Sequence, residues 1–263
     1  MGFLPRMGPA RTARKAAPPV DRVPARADHV LAEIDGEAVR VALNWSARAR
    51  RYTLKLNPAS REPTLTIPIR GSLAVARDFL DRHRGWLKAR LAALPDATPL
   101  ADGATIPLRG ELHRIRHVGG RGLVRVERDA AGAMLLVPGA AEHLPRRLTD
   151  FLKRLARADL EAATARHAAA LGVRITAIRI GDPGSRWGSC SSSGAISYSW
   201  RIVMAPPAVL DYLAAHEVAH RKEMNHSARF WRLVKSLCPQ METAEAWLAR
   251  HGASLHAVGA DAT

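Results

Sequence analysis

Cysteine is almost missing from this chain: Cys190 and Cys238 are the only two in 263 residues. That excludes a disulfide-stapled secreted scaffold, which needs a framework of several pairs. Long apolar runs are missing too, and no stretch approaches the ~20 residues that a membrane-spanning helix requires. Residues 1–15 have no continuous apolar segment of the kind a secretory signal carries. These absences point to the cytoplasm. No G-x-x-x-x-G-K loop is present to cradle phosphates, and G-S-C-S-S-S-G over 188–194 is too generic to replace it.

Acidic side chains are in short supply. Against 40 Lys and Arg stand 24 Asp and Glu, a formal net charge of +16. A surplus of that size attracts polyanions such as nucleic acids, nucleotides and acidic lipid surfaces. The arginines are nevertheless spread along the whole sequence rather than gathered in one arm.

What is present is ordinary apolar content, 47%, and enough length for one large or two small cores. Residues 1–27, rich in Pro, Ala and Arg and without periodicity, read as a disordered basic tail. From residue 28 to 140 the pattern is β-rich. A hairpin turns at Asp35-Gly36, and strands follow at 52–56 and 64–69. Ser72 caps a helix to about Leu94, and four more short strands lie at 104–108, 112–118, 123–127 and 133–137. A helix over 141–171 ends at Gly172, and strands follow near 173–180 and 195–200. The closing helices begin at Ser227 and at Pro239 or Gln240, the last ending near Gly252 before a frayed tail over 253–263. The order β–β–helix occurs twice before residue 171. The expected fold is α+β: a mainly antiparallel β N-terminal region with helices, then a zincin-like domain over 141–252.

The chemistry concentrates in residues 213–231. There His216-Glu217-Val218-Ala219-His220 puts two imidazoles one turn apart on one helix face, with His226 six residues further on. Two such histidines suit a zinc ion, and the intervening Glu suits a base that takes a proton from metal-bound water. A chain of this length produces the pentapeptide by chance roughly once in fifty, so its flanks matter. Pro206-Pro207 suits a helix start, and Leu210, Leu213, Ala214 and Val218 give the segment a buried side. Glu223 is the rival third ligand. Cys190 is better read as a small residue in a packed turn, since three histidines leave one position open for water. Asp211 is either a carboxylate orienting a ligand histidine or a solvated first-turn acid. The strand at 195–200 is the candidate for pairing with extended substrate. Tyr198 and Arg186 are candidates to stabilise an oxyanion or contact substrate, set against purely structural roles. His251 and His256 read as surface residues.

The flanks carry a resemblance. Arg186-Trp187-Gly188-Ser189-Cys190-Ser191, then Ile196-Ser197-Tyr198-Ser199-Trp200-Arg201, Ala205-Pro206, Asp211-Tyr212, the H-E-x-x-H, Met224-Asn225-His226-Ser227 and Phe230-Trp231 follow one another over about 173–252. This series resembles the YgjP-like predicted metal-dependent hydrolases, relatives of SprT-like and minigluzincin-type zinc peptidases. The resemblance implies one zinc per chain, held by His216, His220 and His226, with Glu217 as general base. The spacing of the three histidines is also that of metzincins, but Glu223 stands where those have a turn glycine, so either Asn225 supplies the turn or the helix continues further. Met241 is accordingly core, not part of a Met-turn.

The leading reading is a zinc metallopeptidase acting on a peptide or protein. The alternatives are a nucleotide phosphohydrolase using the same site, a SprT-like protease held on DNA, and a non-enzymatic metal-stabilised module that binds nucleic acid.

Overall fold

A computed structural model describes residues 26–57, 60–184 and 186–260. Of the basic tail, residues 1–25 lie outside the described residues, as do 261–263. The fold is mixed α+β, with six α-helices and three small sheets among the described residues.

The first unit begins with strands β1 (His29–Ile34) and β2 (Glu37–Ser46), joined as expected through Asp35 and Gly36. Both turn residues have positive φ, 53° and 82°, the geometry that matches the twist of a two-residue hairpin. β3 (Thr53–Leu56) and β4 (Pro63–Pro68) complete a sheet of order β1-β2-β4-β3, in which β2 and β4 run parallel. The helical stretch after Ser72 is two helices, α1 (Leu73–Arg82) and α2 (Arg84–Ala92), rather than one. The break falls at His83, whose ring stacks on Phe79 at 4.1 Å and whose Nδ1 donates to the Phe79 carbonyl. Alternate residues of β2 and β4, including Val41, Leu65 and Ile67, bury against Ala76, Leu80 and Leu87 of these helices as a small core of their own.

The strand order repeats in the second sheet. β5 (Thr105–Leu108), β6 (Glu111–Val118), β7 (Arg125–Asp129) and β8 (Gly132–Pro138) are arranged β5-β6-β8-β7, again with a parallel central pair. This sheet does not share the first core. Ile106, Ile115, Leu135 and Val137 pack in one cluster with the long helix α3 (Leu144–Leu171) and everything after it. The four-residue spacing of Leu144, Leu148, Leu152, Ala156 and Leu160 gives α3 a continuous inward stripe. Each fully buried leucine there contributes about 1.5–3 kcal/mol. Leu91 is the last apolar residue packed on the first cluster, and Leu100 is the first of the second.

The third sheet is three-stranded: β9 (Ala177–Gly181), β10 (Gly188–Cys190) and β11 (Ala195–Ser199), in the order β10-β11-β9. Helices α4 (Pro207–Ala219), α5 (Ala228–Leu237) and α6 (Met241–Ala257) close the body. Met241 is buried, as a core residue should be. α6 does not fray after Gly252. It continues because Gly252 sits against the Trp187 indole and because Leu255, His256, Ala257 and Val258 are buried. His256 is thus interior rather than on the surface, its ring stacked on Trp187 at 4.2 Å. Thr98 pairs with Val258 as a parallel bridge, stitching the start of this body to its end. No helix among the described residues is long and apolar enough to cross a membrane.

Candidate metal centre and active site

α4 is built to run through a core. Pro206 and Pro207 start it, and Val209, Leu210, Leu213, Ala214, Ala215, Val218 and Ala219 bury it on nearly every side. Helix α3 flanks it, as do α5, α6 and β10. On this rod His216 and Glu217 are fixed by the helix itself. Regular helix ends at Ala219, so His220 stands at its C-terminus, and the Nδ1–H of His220 donates to the Glu223 carbonyl at 3.0 Å. That bond leaves the lone pair on Nε2, as metal ligation requires.

The chain then turns back without a glycine. Asn225 Oδ1 accepts from the Ser227 N–H at 3.2 Å, and Ser227 Oγ accepts from the Phe230 N–H to cap α5. His226 is delivered by this turn. One nitrogen from each of His216, His220 and His226 falls within 4.8 Å of the others, and the Nε2 atoms of His216 and His226 are 3.1 Å apart. Two nitrogens on tetrahedral zinc at about 2.0–2.1 Å would stand about 3.3 Å apart. The three rings are set around Phe230 with centroids 4.5 to 4.9 Å from its own, so an aromatic floor fixes their tilt.

Electrostatics agree with that geometry. Burial, then the neighbouring imidazoles, push His216 down to about 4, and burial foremost lowers His220 as well. A lowered pKa keeps an imidazole neutral, the form in which a ring nitrogen can bind a metal. His216 Nδ1 is itself buried without a hydrogen-bond partner among the described residues. The donor set and its spacing fit a zinc ion.

Glu217 faces β10 and is only 4% exposed. Burial raises its pKa to about 7, with nearby Arg186 opposing the shift, and Oε2 has no hydrogen-bond partner among the described residues. The carboxylate lies so close to the strand that a Cβ at Gly188 would overlap it. Glycine in a short strand is the signal of such a close approach, although its target was not legible. Gly188→Ala is expected to cut peptide turnover on the order of 10²-fold by displacing the Glu217 carboxylate, without reducing bound metal. Steady-state kinetics alongside metal analysis would check this.

The other candidates stand outside the histidine cluster. Tyr198 is fully buried and its hydroxyl bonds to Thr164 Oγ1 at 3.0 Å across to α3. Burial raises that phenol well above its ordinary value. Tyr198→Phe is expected to cost about 0.5–1.5 kcal/mol of stability and to leave kcat within about threefold. A drop of about 10² or more in kcat would return it to an oxyanion role. The Glu223 carboxylate pairs with Arg229 at 2.9 Å and is not part of the histidine cluster. Asp211 accepts from His167 and Arg166 on α3, at 2.9 and 2.8 Å, and so ties α3 to α4 rather than orienting a ligand. Cys190 is half-buried near Glu217 and Arg221, its thiol pushed up by burial, and it too stands apart from the cluster. Arg186 is exposed.

The strand reading also changes. β11 is central, paired with β10 on one side and β9 on the other, so it has no edge to offer an extended substrate. β10 does. The Ser199 N–H donates to the Trp187 carbonyl and the Ser191 N–H to the Ala195 carbonyl. By antiparallel alternation, Gly188 and Cys190 turn their peptide groups to the free edge.

Sequence pattern had not marked the support behind this strand. Arg201, 4% exposed, reaches Asp182 through two bonds of 2.8 and 3.1 Å, donates to the Val258 carbonyl, and lies 4.6 Å over the Trp200 ring. It thereby joins the loop before β10 to the end of α6.

A metallopeptidase-type hydrolase is the class to which this chain's fold and site belong. More particularly, the chain belongs to the YgjP-like family: the family model described as "YgjP-like, metallopeptidase domain" matches residues 50–251. No curated protein matches it. Among solved structures it is similar to the metallopeptidase zymogen abylysin of Pyrococcus abyssi, at 21% identity and a TM-score of 0.32, over 35% of this chain and 93% of that one.

Proposed function

We propose that this chain is a zinc-dependent metallopeptidase in which His216, His220 and His226 hold one zinc ion and Glu217 is the general base. The observation that carries the reading is the convergence of three histidine nitrogens within 4.8 Å beside a buried, unpartnered carboxylate oxygen. Zinc bound there supplies Lewis acidity, lowering the pKa of water and polarising a peptide carbonyl. Glu217, with a pKa near 7, is matched to accepting a proton from the attacking water and giving it to the departing amine nitrogen. An extended peptide pairs with the outward peptide groups of Gly188 and Cys190, which binds main chain without regard to side chain. Arg186, at the mouth of the site, contacts the substrate.

The catalytic body begins near Leu100 rather than at residue 141, a reading supported by the single apolar cluster from Leu100 to Val258. The location is cytoplasmic, in keeping with two unpaired cysteines. The test is digestion of a mixed peptide library by the full chain, read by mass spectrometry with and without a chelator, beside a screen of nucleoside triphosphates. Chelator-sensitive peptide cleavage is expected. Hydrolysis of triphosphates alone would replace the peptidase reading with the phosphohydrolase one.

A further inference from the structure

The arginines that look scattered in the sequence are sorted by the first sheet into one pole. β2 and β4 run parallel and end together, with Ser46 opposite Pro68 and the Ile69 N–H donating to the Ser46 carbonyl. Arg48, Arg50 and Arg51 follow β2, and Arg70 follows β4. Arg26 joins them, donating to the Ile69 carbonyl at 3.0 Å and lying 4.8 Å over the Trp45 ring. Arg48, Arg50, Arg51 and Arg70 are exposed, and none of the five has an ion-pair partner among the described residues. Asp28, the acid nearest in sequence, is engaged by His29 and Arg40. Acidic side chains collect at the opposite pole, where the β1–β2 hairpin carries Glu33, Asp35 and Glu37.

The basic pole is also pre-arranged. Ser46 Oγ accepts from the backbone N–H groups of Arg48 and Ala49, both at 3.3 Å. The Tyr52 hydroxyl accepts from the Ser72 N–H at 3.0 Å, tying the arginine loop to the start of α1, whose first turn contains no acidic residue. Less loop ordering is therefore left to be done when a partner arrives.

The geometry points to a docking surface for the phosphate backbone of nucleic acid, formed by Arg26, Arg48, Arg50, Arg51 and Arg70 and separate from the metal centre. Every cation in the group is arginine, whose planar fork matches paired phosphate oxygens. Trp45 is already covered by Arg26, so the surface offers phosphate contacts rather than base stacking, and binding is indifferent to sequence. An anionic membrane is the weaker fit. The exposed apolar side chains near this pole, Ile69 and Val75, fall short of the broad apolar face that interfacial anchoring needs.

The test is fluorescence anisotropy of a labelled 20-base-pair DNA duplex with the full chain across a salt series, beside sedimentation with phosphatidylserine-containing vesicles. A patch variant carries Gln at Arg48, Arg50, Arg51 and Arg70. A control variant of equal charge carries Gln at the exposed Arg116, Arg146, Arg154 and Arg250. The wild type is expected to bind duplex with a log–log salt slope of about −4, and the patch variant at least about tenfold more weakly with a slope flattened by about 3. The control variant stays within about threefold of wild type. Equal weakening of both variants would show that only diffuse charge acts, and would overturn the proposal. So would absence of duplex binding at low salt, or binding to vesicles alone. Circular dichroism establishes that each variant is folded. Should the fourfold variant fail to fold, Arg50→Gln alone is read instead, with the slope expected to flatten by about one unit.

Discussion

Glu217→Gln is expected to lower peptide turnover by roughly 10²–10⁴-fold while the chain keeps its zinc. Glutamine has the same shape and still fills the space against Gly188, so the packing of α4 against β10 is retained. What disappears is the ability to accept a proton. The carboxylate is buried, raised to about 7 by desolvation, and has an oxygen without a partner. Removing an ionisable group from such a place relieves a desolvation cost. The thermal unfolding midpoint should therefore equal or exceed that of the wild type. Kinetics, metal analysis and a melting curve on one preparation make the check complete. Retained turnover would remove Glu217 from its role as base. Lost zinc would mean that the carboxylate helps to hold the ion.

His216→Ala should fail differently. His216 is one corner of the cluster, 3.1 Å from His226 through their Nε2 atoms and one helical turn from His220. Deleting it leaves two imidazoles, too few for the proposed site, which needs three protein ligands. The expected result is a fall from about one zinc per chain to nearly none, with activity lost in step. Stability gives an independent readout. A ligand present at a hundred times its Kd stabilises by about 2.7 kcal/mol. Added zinc should raise the melting midpoint of the wild type and of Glu217→Gln, but not that of His216→Ala. An equal rise in all three would place the ion elsewhere. Together the two substitutions separate holding the metal from using it.

How much of this was legible depended on what kind of order each feature has. Local periodicity was readable. The hairpin at Asp35-Gly36, the Ser72 and Ser227 caps and the stripe of α3 all lie within one or two turns of chain. The convergence of His216, His220 and His226 was likewise legible from helical spacing and a short turn. Features that depend on distant partners were not. Alternation at 195–199 marks a strand but cannot say whether it lies at an edge, and β11 proved to be central. A structural partner for Tyr198 could not be named from the sequence, because Thr164 lies 34 residues earlier. The end of α6 was misjudged at Gly252 for the same reason. A glycine ordinarily ends a helix, but here it admits an indole from residue 187.

The seam between Thr98 and Val258 sets a timetable for the nascent chain. The first unit, residues 26–94, has its own core and can close as soon as it emerges from the ribosome. The body that follows cannot. Until residue 258 is free, Thr98 has no neighbour to bridge, and Arg201 lacks two of the carbonyls that receive it, those of Leu255 and Val258. Residues as far as 258 must therefore be synthesised before Arg201 can brace β10 from behind. The strand that faces Glu217 is made firm only after α6 has been added.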